Sequence, residues 1–316
     1  SSFFMHAQDF QEQWKEIYVL EQKQSYKTLQ KKVDDLYKSA TKSKNQQQQA
    51  KALLFQLKVE NVLKETTYQQ KATRLQKQIK QASGVYPFIY RWYYLKTLLA
   101  AYEAKQNYWR RNSLVETTTT TLPEEIDLWS EKQFKQQIIE QVNLLFAEEM
   151  VLKNTPLSQI KELVDYDAID NNLNQNAYEF FATTFIKDYA FNSYLVKDNF
   201  TNIEIFDDRF SKEKIAFPFM NSNIRNELGK LSVLILQKLE AYYIDTNQKK
   251  ALDKIRFVRF DNYTENKKSK GEAFHDLGKN LQTNFYKNRW KAIYAQKLVN
   301  EADKVPAGLK EITVRN

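Results

Sequence analysis

Apolar residues return every three or four positions through the first third of the chain. Leu29, Val33, Leu36, Tyr37 and Ala40 fall at i, i+4, i+7, i+8 and i+11, a single stripe on the helical period. Ala50, Leu53, Leu54 and Leu57 repeat the spacing, and Tyr68, Ala72, Leu75, Ile79 and Ala82 repeat it again. Each stripe covers one side only, so each helix needs neighbours to bury it. The pattern breaks near residues 23–25, 43–46 and 65–67, which predicts helix starts near 9, 26, 46, 67 and 86. Starts about 20 residues apart make helical hairpins of about 40, the scale of tetratricopeptide or HEAT-like units. No tetratricopeptide consensus accompanies the spacing, so the repeat is one of architecture.

The helix expected at 86–106 is different. Tyr86, Phe88, Tyr90, Trp92, Tyr93, Tyr94, Leu95, Leu98 and Leu99 make it apolar on most sides, as a central helix is. Ser83-Gly84 just before it reads as a left-handed close to the preceding helix. The rhythm fails over 107–130, where Asn112-Ser113, the threonines 117–121 and Pro123 disfavour helix and predict a long loop. Ser130 with Gln133 three residues on is a capping-box signature. It opens a helix expected from 131 to about 152, with Phe134, Ile138, Val142 and Leu145 inward and Asn154-Thr155-Pro156 as its stop. A short helix and an Asp/Asn-rich loop fill 157–176, and Ala177 to Phe191 carries the stripe Phe180, Phe181, Phe185 and Tyr189. Residues 192–222 read as irregular connection. Asn223 caps a helix with Ile224, Leu228, Leu231, Ile235 and Tyr242 on one face, and further helices are expected at about 247–263 and 272–304. Val305-Pro306-Ala307-Gly308 is a stop signal, and Ile312-Thr313-Val314-Arg315 has the character of a short first strand leading out of the chain.

The fold these patterns predict is all-α, an α-solenoid or helical-hairpin array with a short terminal β-strand. Its expected divisions are a signal-peptide remnant or disordered start at 1–8, N-terminal hairpins at 9–111, a loop at 112–130, a C-terminal helical array at 131–304 and a linker into a following domain at 305–316. Composition agrees. Only 5 Gly and 5 Pro punctuate 316 residues, far fewer than the turns of an α/β enzyme or a β-sandwich demand. With 0 Cys, disulfides, a cysteine nucleophile and cysteine-ligated metals are excluded. No apolar run approaches the ~18 residues that span a bilayer. Ser1-Ser2-Phe3-Phe4-Met5-His6-Ala7-Gln8 reads as the tail of a signal peptide with a small-residue cleavage position at Ala7, which points to export.

Charge alternates along the chain. Residues 1–111 are basic, with 20 Lys and Arg against 9 Asp and Glu; residues 112–211 are acidic, 7 against 18; residues 212–316 are basic again, 21 against 12. Basic ends can grip nucleic acid. Here the cations are mostly single lysines spread around helices, which fits segments docking on each other or on a partner by complementary potential.

Candidate chemistry is sparse. His275-Asp276 has the composition of an oriented general base, but neighbours on a helix point about 100° apart, and a surface histidine is the simpler reading. Glu124-Glu125, Glu148-Glu149 and Asp207-Asp208 are the raw material of carboxylate-pair hydrolysis. Glu124, Glu125 and Asp127 also stand where a helix start favours negative charge. Gly84, Gly229, Gly271, Gly278 and Gly308 are too scattered for a phosphate-binding loop. No catalytic, cofactor-binding or metal-binding residues are assigned, and the expectation is a non-enzymatic chain without a cofactor.

One resemblance gives that expectation a context. Gln13-Trp14-Lys15-Glu16, Leu20-Glu21, the stretch from Tyr26 through Val33-Asp34-Asp35-Leu36-Tyr37 to Lys44-Asn45, and Ala50 to Lys58 resemble the opening of the long bacterial α-2-macroglobulin family. Ala101-Tyr102 to Asn107-Tyr108-Trp109-Arg110-Arg111 continues the likeness, as do Ile126-Asp127-Leu128-Trp129-Ser130, Thr155-Pro156-Leu157 and Ala177 to Ala182, so it spans about residues 9–190. The resemblance implies the N-terminal helical region of a large exported protein of protease trapping or envelope defence, followed by macroglobulin β-sandwiches. That family's thioester needs a cysteine, so neither thioester nor bait region is carried over to this chain. The implied location is periplasmic, outer-membrane-associated or extracellular. The implied partners are protein, either the rest of the same chain or other envelope proteins, without nucleic acid or a membrane span. The alternatives are a stand-alone periplasmic tetratricopeptide-like adaptor and a nucleic-acid-binding helical-repeat protein.

Overall fold

Helix ends decide how this chain folds back on itself. In the computed structural model, residues 2–111, 121–164, 174–190, 227–262, 275 and 277–302 are described. Four helix-terminal turns place a non-glycine residue in the left-handed region: Gln24, Lys44, Lys64 and Asn247, with φ of 54°, 55°, 58° and 56°. In each, the next residue's N–H returns to a carbonyl five positions back: Ser25 to Leu20 at 3.0 Å, Asn45 to Ala40 at 2.9 Å, Glu65 to Glu60 at 3.0 Å and Gln248 to Tyr243 at 2.8 Å. This 6→1 bond is the Schellman closure, and it satisfies carbonyls the helix leaves open. The left-handed residue costs about 1–2 kcal/mol without glycine's freedom. The chain accepts that cost and so makes tight reversals with few glycines.

All regular elements among the described residues are helical, and the extended pairing is a single antiparallel bridge between Pro156 and Asn176. The chain divides into two compact units: Ser1–Ile169 with Gln175–Tyr178, and Asp170–Asn174 with Glu179–Asn316.

The first unit holds α1 (Ser2–Gln22), α2 (Tyr26–Lys42), α3 (Gln46–Leu63), α4 (Tyr68–Gln81), α5 (Tyr86–Arg111), α6 (Glu131–Leu145), α7 (Glu149–Lys153) and α8 (Leu157–Ile160). Helices α2 and α3 pack as one hairpin and α4 and α5 as another; α1 packs on α2, and α6 on α5. Phe10, Trp14 and Ile17 of α1 close over Leu29, Val33, Leu36 and Ala40 of α2. The expected central helix is α5, with Ile89, Tyr90, Trp92, Tyr94, Leu95, Leu98 and Tyr102 all buried. The predicted cap at Ser130 is present and forms the full capping box with Gln133 at α6; Thr67 with Gln70 does the same at α4, and Asn45 accepts from the Gln48 N–H at the start of α3.

The second unit holds α10 (Glu227–Asp245), α11 (Lys249–Asn262) and α12 (Asn284–Ala302), with α10 packed on α11 and on the single π-helical turn Ile186–Ala190. That turn directly follows α9 (Ala177–Phe185). Inside this unit Glu240 is fully buried and bonded to the Arg259 guanidinium at 2.6 and 3.2 Å. Gly278 has a steric reason: a Cβ there would stand 2.2 Å from the Trp290 ring.

Several boundaries differ from the sequence reading. The first helix begins at Ser2, not near residue 9. The helix expected over 131–152 breaks after Leu145, where Phe146 turns its ring edge-on to Tyr178 at 6.1 Å, and α7 resumes at Glu149. The helix expected at Ala177 to Phe191 changes to the π-helical turn after Phe185. The helix expected over 272–304 is interrupted at 281–283, because the buried Asp253 carboxylate takes the N–H groups of Gln282 at 3.0 Å and Thr283 at 2.8 Å. Gly84 is left-handed at φ 63°, but it serves the turn; Ala82 is the extended cap residue of α4. The threonine run 117–120, the irregular connection 192–222, the cap at Asn223 and the terminal strand Ile312 to Arg315 lie outside the described residues.

Candidate interaction surface

Helix α4 is strongly one-sided. Ala72, Leu75 and Gln78 are buried, while Gln69, Gln70, Thr73 and Gln76 lie on the opposite side. Gln69, Thr73 and Gln76 follow i, i+4, i+7, so they form one row of amide and hydroxyl groups. This row faces two open hollows that share Gln69. One, of about 470 Å³, lies between Gln30 of α2, Glu60 and the Glu65-Thr66 turn after α3, and Gln70, Thr73 and Arg74 of α4. The other, of about 280 Å³, lies between Gln76, Tyr94 of α5 and the segment Leu122–Trp129.

The α3–α4 junction beside the larger hollow is bridged by polar side chains. Arg74 grips both Glu60 oxygens at 2.6 and 2.7 Å and reaches Gln56 at 2.7 Å, and Gln56 donates to Asp34 at 2.6 Å. Lys71 donates to Asn61 at 2.7 Å; burial lowers its pKa, with nearby Glu60 opposing. Gln30 donates to Glu65 at 3.0 Å. Around the smaller hollow, Gln69 accepts from the Ile126 N–H at 2.7 Å, Gln76 donates to the Tyr94 hydroxyl at 2.8 Å, and the Trp129 indole donates to the Pro123 carbonyl at 2.7 Å. Burial pushes the Tyr94 hydroxyl up to about 12.

Not every valence is used. A side-chain amide offers two donors and an acceptor oxygen with two lone pairs. Among the described residues the Gln70 amide nitrogen, the amide oxygens of Gln30 and Gln76 and the Thr66 hydroxyl have no protein partner. The floor of the larger hollow is largely the aliphatic stems of its long polar side chains. The groove therefore offers donors, acceptors and a narrow apolar floor together.

Apart from the groove, an aromatic cluster joins α1 to its neighbours. Trp14 is buried, its indole donates to Gln48 at 2.6 Å, and Lys51 stands 4.4 Å over its ring while pairing with Glu162 at 2.9 Å. The contact ties α1 to α3 and to the turn after α8. It also joins the basic first segment to the acidic one, as Glu131 does by accepting from Tyr102 at 3.1 Å and Lys105 does at the Asp127 carbonyl. Arg91 belongs to the same seam: it bonds Gln141, and burial lowers its pKa against the opposing charge of Glu140.

Among the described residues, those singled out for possible catalysis form no His/Asp/Glu group of three or more that could hold a metal ion. Glu124, Glu125 and Glu148 are exposed, and Glu149 pairs with Lys153 at 3.0 Å. Glu125 precedes the short 3₁₀ turn Ile126–Leu128 and makes no side-chain cap bond. His275 is exposed, with its ring 5.9 Å from that of Tyr294. The backbone of His6 lies in α1; its side chain, Asp276 and the pair Asp207-Asp208 fall outside the described residues. Among the described residues no helix is long and apolar enough to cross a membrane. The groove was not singled out in the sequence, although the Gln-rich exposed face of α4, Tyr68–Gln81, was its visible sign. No family model, curated protein or solved structure matches the chain.

Proposed function

We propose that this chain is a non-catalytic helical interaction domain that holds polypeptide, serving as the N-terminal scaffold of a large exported α-2-macroglobulin-like envelope protein. The observation that carries the reading is the α4 groove, two adjoining hollows lined by side-chain amides on a frame of packed hairpins. Helical hairpins stacked side by side form a quasi-one-dimensional array whose faces serve as extended binding surfaces. The family assignment and the exported location rest on the resemblance in residues 9–190 and on the leader-like residues 1–8.

An antibody raised against this chain tests the assignment in the native organism. The expected result is an envelope-fraction band far above the mass of the 316-residue chain. An envelope band at the mass of the chain alone supports the stand-alone adaptor instead. Duplex or single-stranded DNA should bind no tighter than about 10 μM at physiological salt, the background of any basic protein. Submicromolar DNA affinity with a steep salt slope would replace the reading with nucleic-acid binding.

A further inference from the structure

The groove's own chemistry narrows what it holds. An extended polypeptide presents an N–H and a C=O on the same edge about every 6.6–6.8 Å. On α4 the Gln69 amide already donates to the Thr73 hydroxyl at 3.3 Å and accepts from the Ile126 N–H, and that hydroxyl donates to the Gln69 carbonyl at 2.9 Å, so the side-chain groups left on α4 for such a chain are those of Gln70 and Gln76. The unengaged groups are of both kinds: the Gln70 amide nitrogen donates, and the Gln30 and Gln76 amide oxygens accept. A nucleic-acid backbone presents acceptors and anionic charge, and would leave those oxygens unpaired.

Charge is the second selector. Residues 1–111 are strongly basic, yet this groove is not. Its one guanidinium, Arg74, is already clamped by Glu60, while Glu65 at one end and Glu124 at the other are exposed and have no cation in ion-pair contact among the described residues. Glu65 receives only the neutral amide of Gln30. An aliphatic floor ending at a carboxylate matches a long stem with a cationic head, which is a lysine or arginine side chain.

From this match we infer that the α4 groove binds an extended segment of a partner polypeptide, its main chain read by the α4 amides and one lysine or arginine laid along the larger hollow toward Glu65. The inference rests on the interaction-domain reading and gives it a ligand class. Its test uses the full 316-residue chain and four fluorescent nonapeptide libraries, degenerate except for a fixed central Lys, Arg, Glu or Leu. The Lys and Arg libraries are expected to be retained about fivefold over the Glu library, the ratio that a partly exposed ion pair of about 1 kcal/mol supplies. Glu65→Lys, an exposed turn substitution checked by circular dichroism for an unchanged fold, should invert that order. Gln76→Ala should weaken all retained libraries alike, because it removes a main-chain acceptor and no charge. Equal retention of the Lys and Glu libraries, a preference that survives Glu65→Lys, or no retention of any library would each overturn the inference. Peptide binding indifferent to both substitutions would sink the groove alone and leave the interaction-domain reading to the native-mass experiment.

Discussion

In the first unit the Tyr37 hydroxyl meets the amides of Gln78 at 3.2 Å and Gln49 at 3.4 Å, and Tyr94 meets Gln76; in the second unit the comparable buried positions hold Glu240 with Arg259, and Asp253 with two backbone N–H groups. The first unit thus adds neutral amide–hydroxyl ties to charged ones that all stay partly exposed, Arg74–Glu60 at 34% and 15% among them. The second buries charge outright. Glu179 there is also fully buried, accepting from Gln248 at 3.0 Å. A neutral bond contributes about 1 kcal/mol, and its loss is graded. A buried ion pair roughly breaks even against an apolar pair, but removing one partner strands the other charge. The two units should therefore fail differently: the first by degrees, the second at single residues.

The largest effect should come from Glu240→Ala. It leaves the Arg259 guanidinium, 9% exposed, without its carboxylate, and should cost about 3–5 kcal/mol in denaturant unfolding of the second unit. The double substitution Glu240→Leu/Arg259→Met should recover part of that loss, the rest remaining with Arg256, whose guanidinium stands 3.8 Å from the same carboxylate. A single variant no less stable than the double one would refute the contrast. Next is Asp253→Ala, which removes the acceptor for Gln282, Thr283 and the Thr283 hydroxyl, the last at 2.6 Å. We expect a loss of about 2 kcal/mol, with increased hydrogen exchange at the start of α12.

The third effect is a pH response of the first unit. Burial raises the hydroxyl pKa of Tyr90, Tyr94 and Tyr102, Tyr94 to about 12. An unfolded tyrosine titrates near 10, so the native state holds these protons longer. The stability they contribute is fully present below about pH 10 and is lost as pH rises toward 12. Tyrosinate absorbance followed together with circular dichroism should show these rings ionising only as the helices melt, and Tyr94→Phe should lessen the alkaline loss. Normal titration of every tyrosine with the fold intact would contradict it. Smallest is His275→Ala, an exposed change that should leave stability within about ±0.5 kcal/mol and leave peptide retention unaltered.

Periodicity carried most of what was legible. The stripe from Leu29 to Ala40 is fully buried at Leu29, Val33, Leu36 and Ala40, and the capping box at Ser130 lies where the sequence put it. Local signals were enough because these helices are set by their own residues. The misses share a different cause. The break after Leu145 falls where Phe146 packs on Tyr178, and the interruption at 281–283 is held by Asp253; both partners are distant in sequence, and no window along α6 or α12 contains them. The left-handed residues Gln24, Lys44 and Lys64 were hidden because lysine and glutamine do not advertise that conformation as glycine does. The groove was hidden for the same reason as the breaks: its walls come from α2, α3, α4, α5 and Leu122–Trp129, and only the assembled hairpins bring them together.

The central claim is that the first unit holds polypeptide in the α4 groove. Photo-crosslinking in the native organism tests it most directly, with a benzophenone side chain placed at the exposed Thr73, in the groove, and at the exposed Lys38, on α2 away from it. The account predicts a protease-sensitive adduct from position 73 that Glu65→Lys abolishes, and none from position 38. Equal adducts from both positions, or a nuclease-sensitive adduct from position 73, would contradict it.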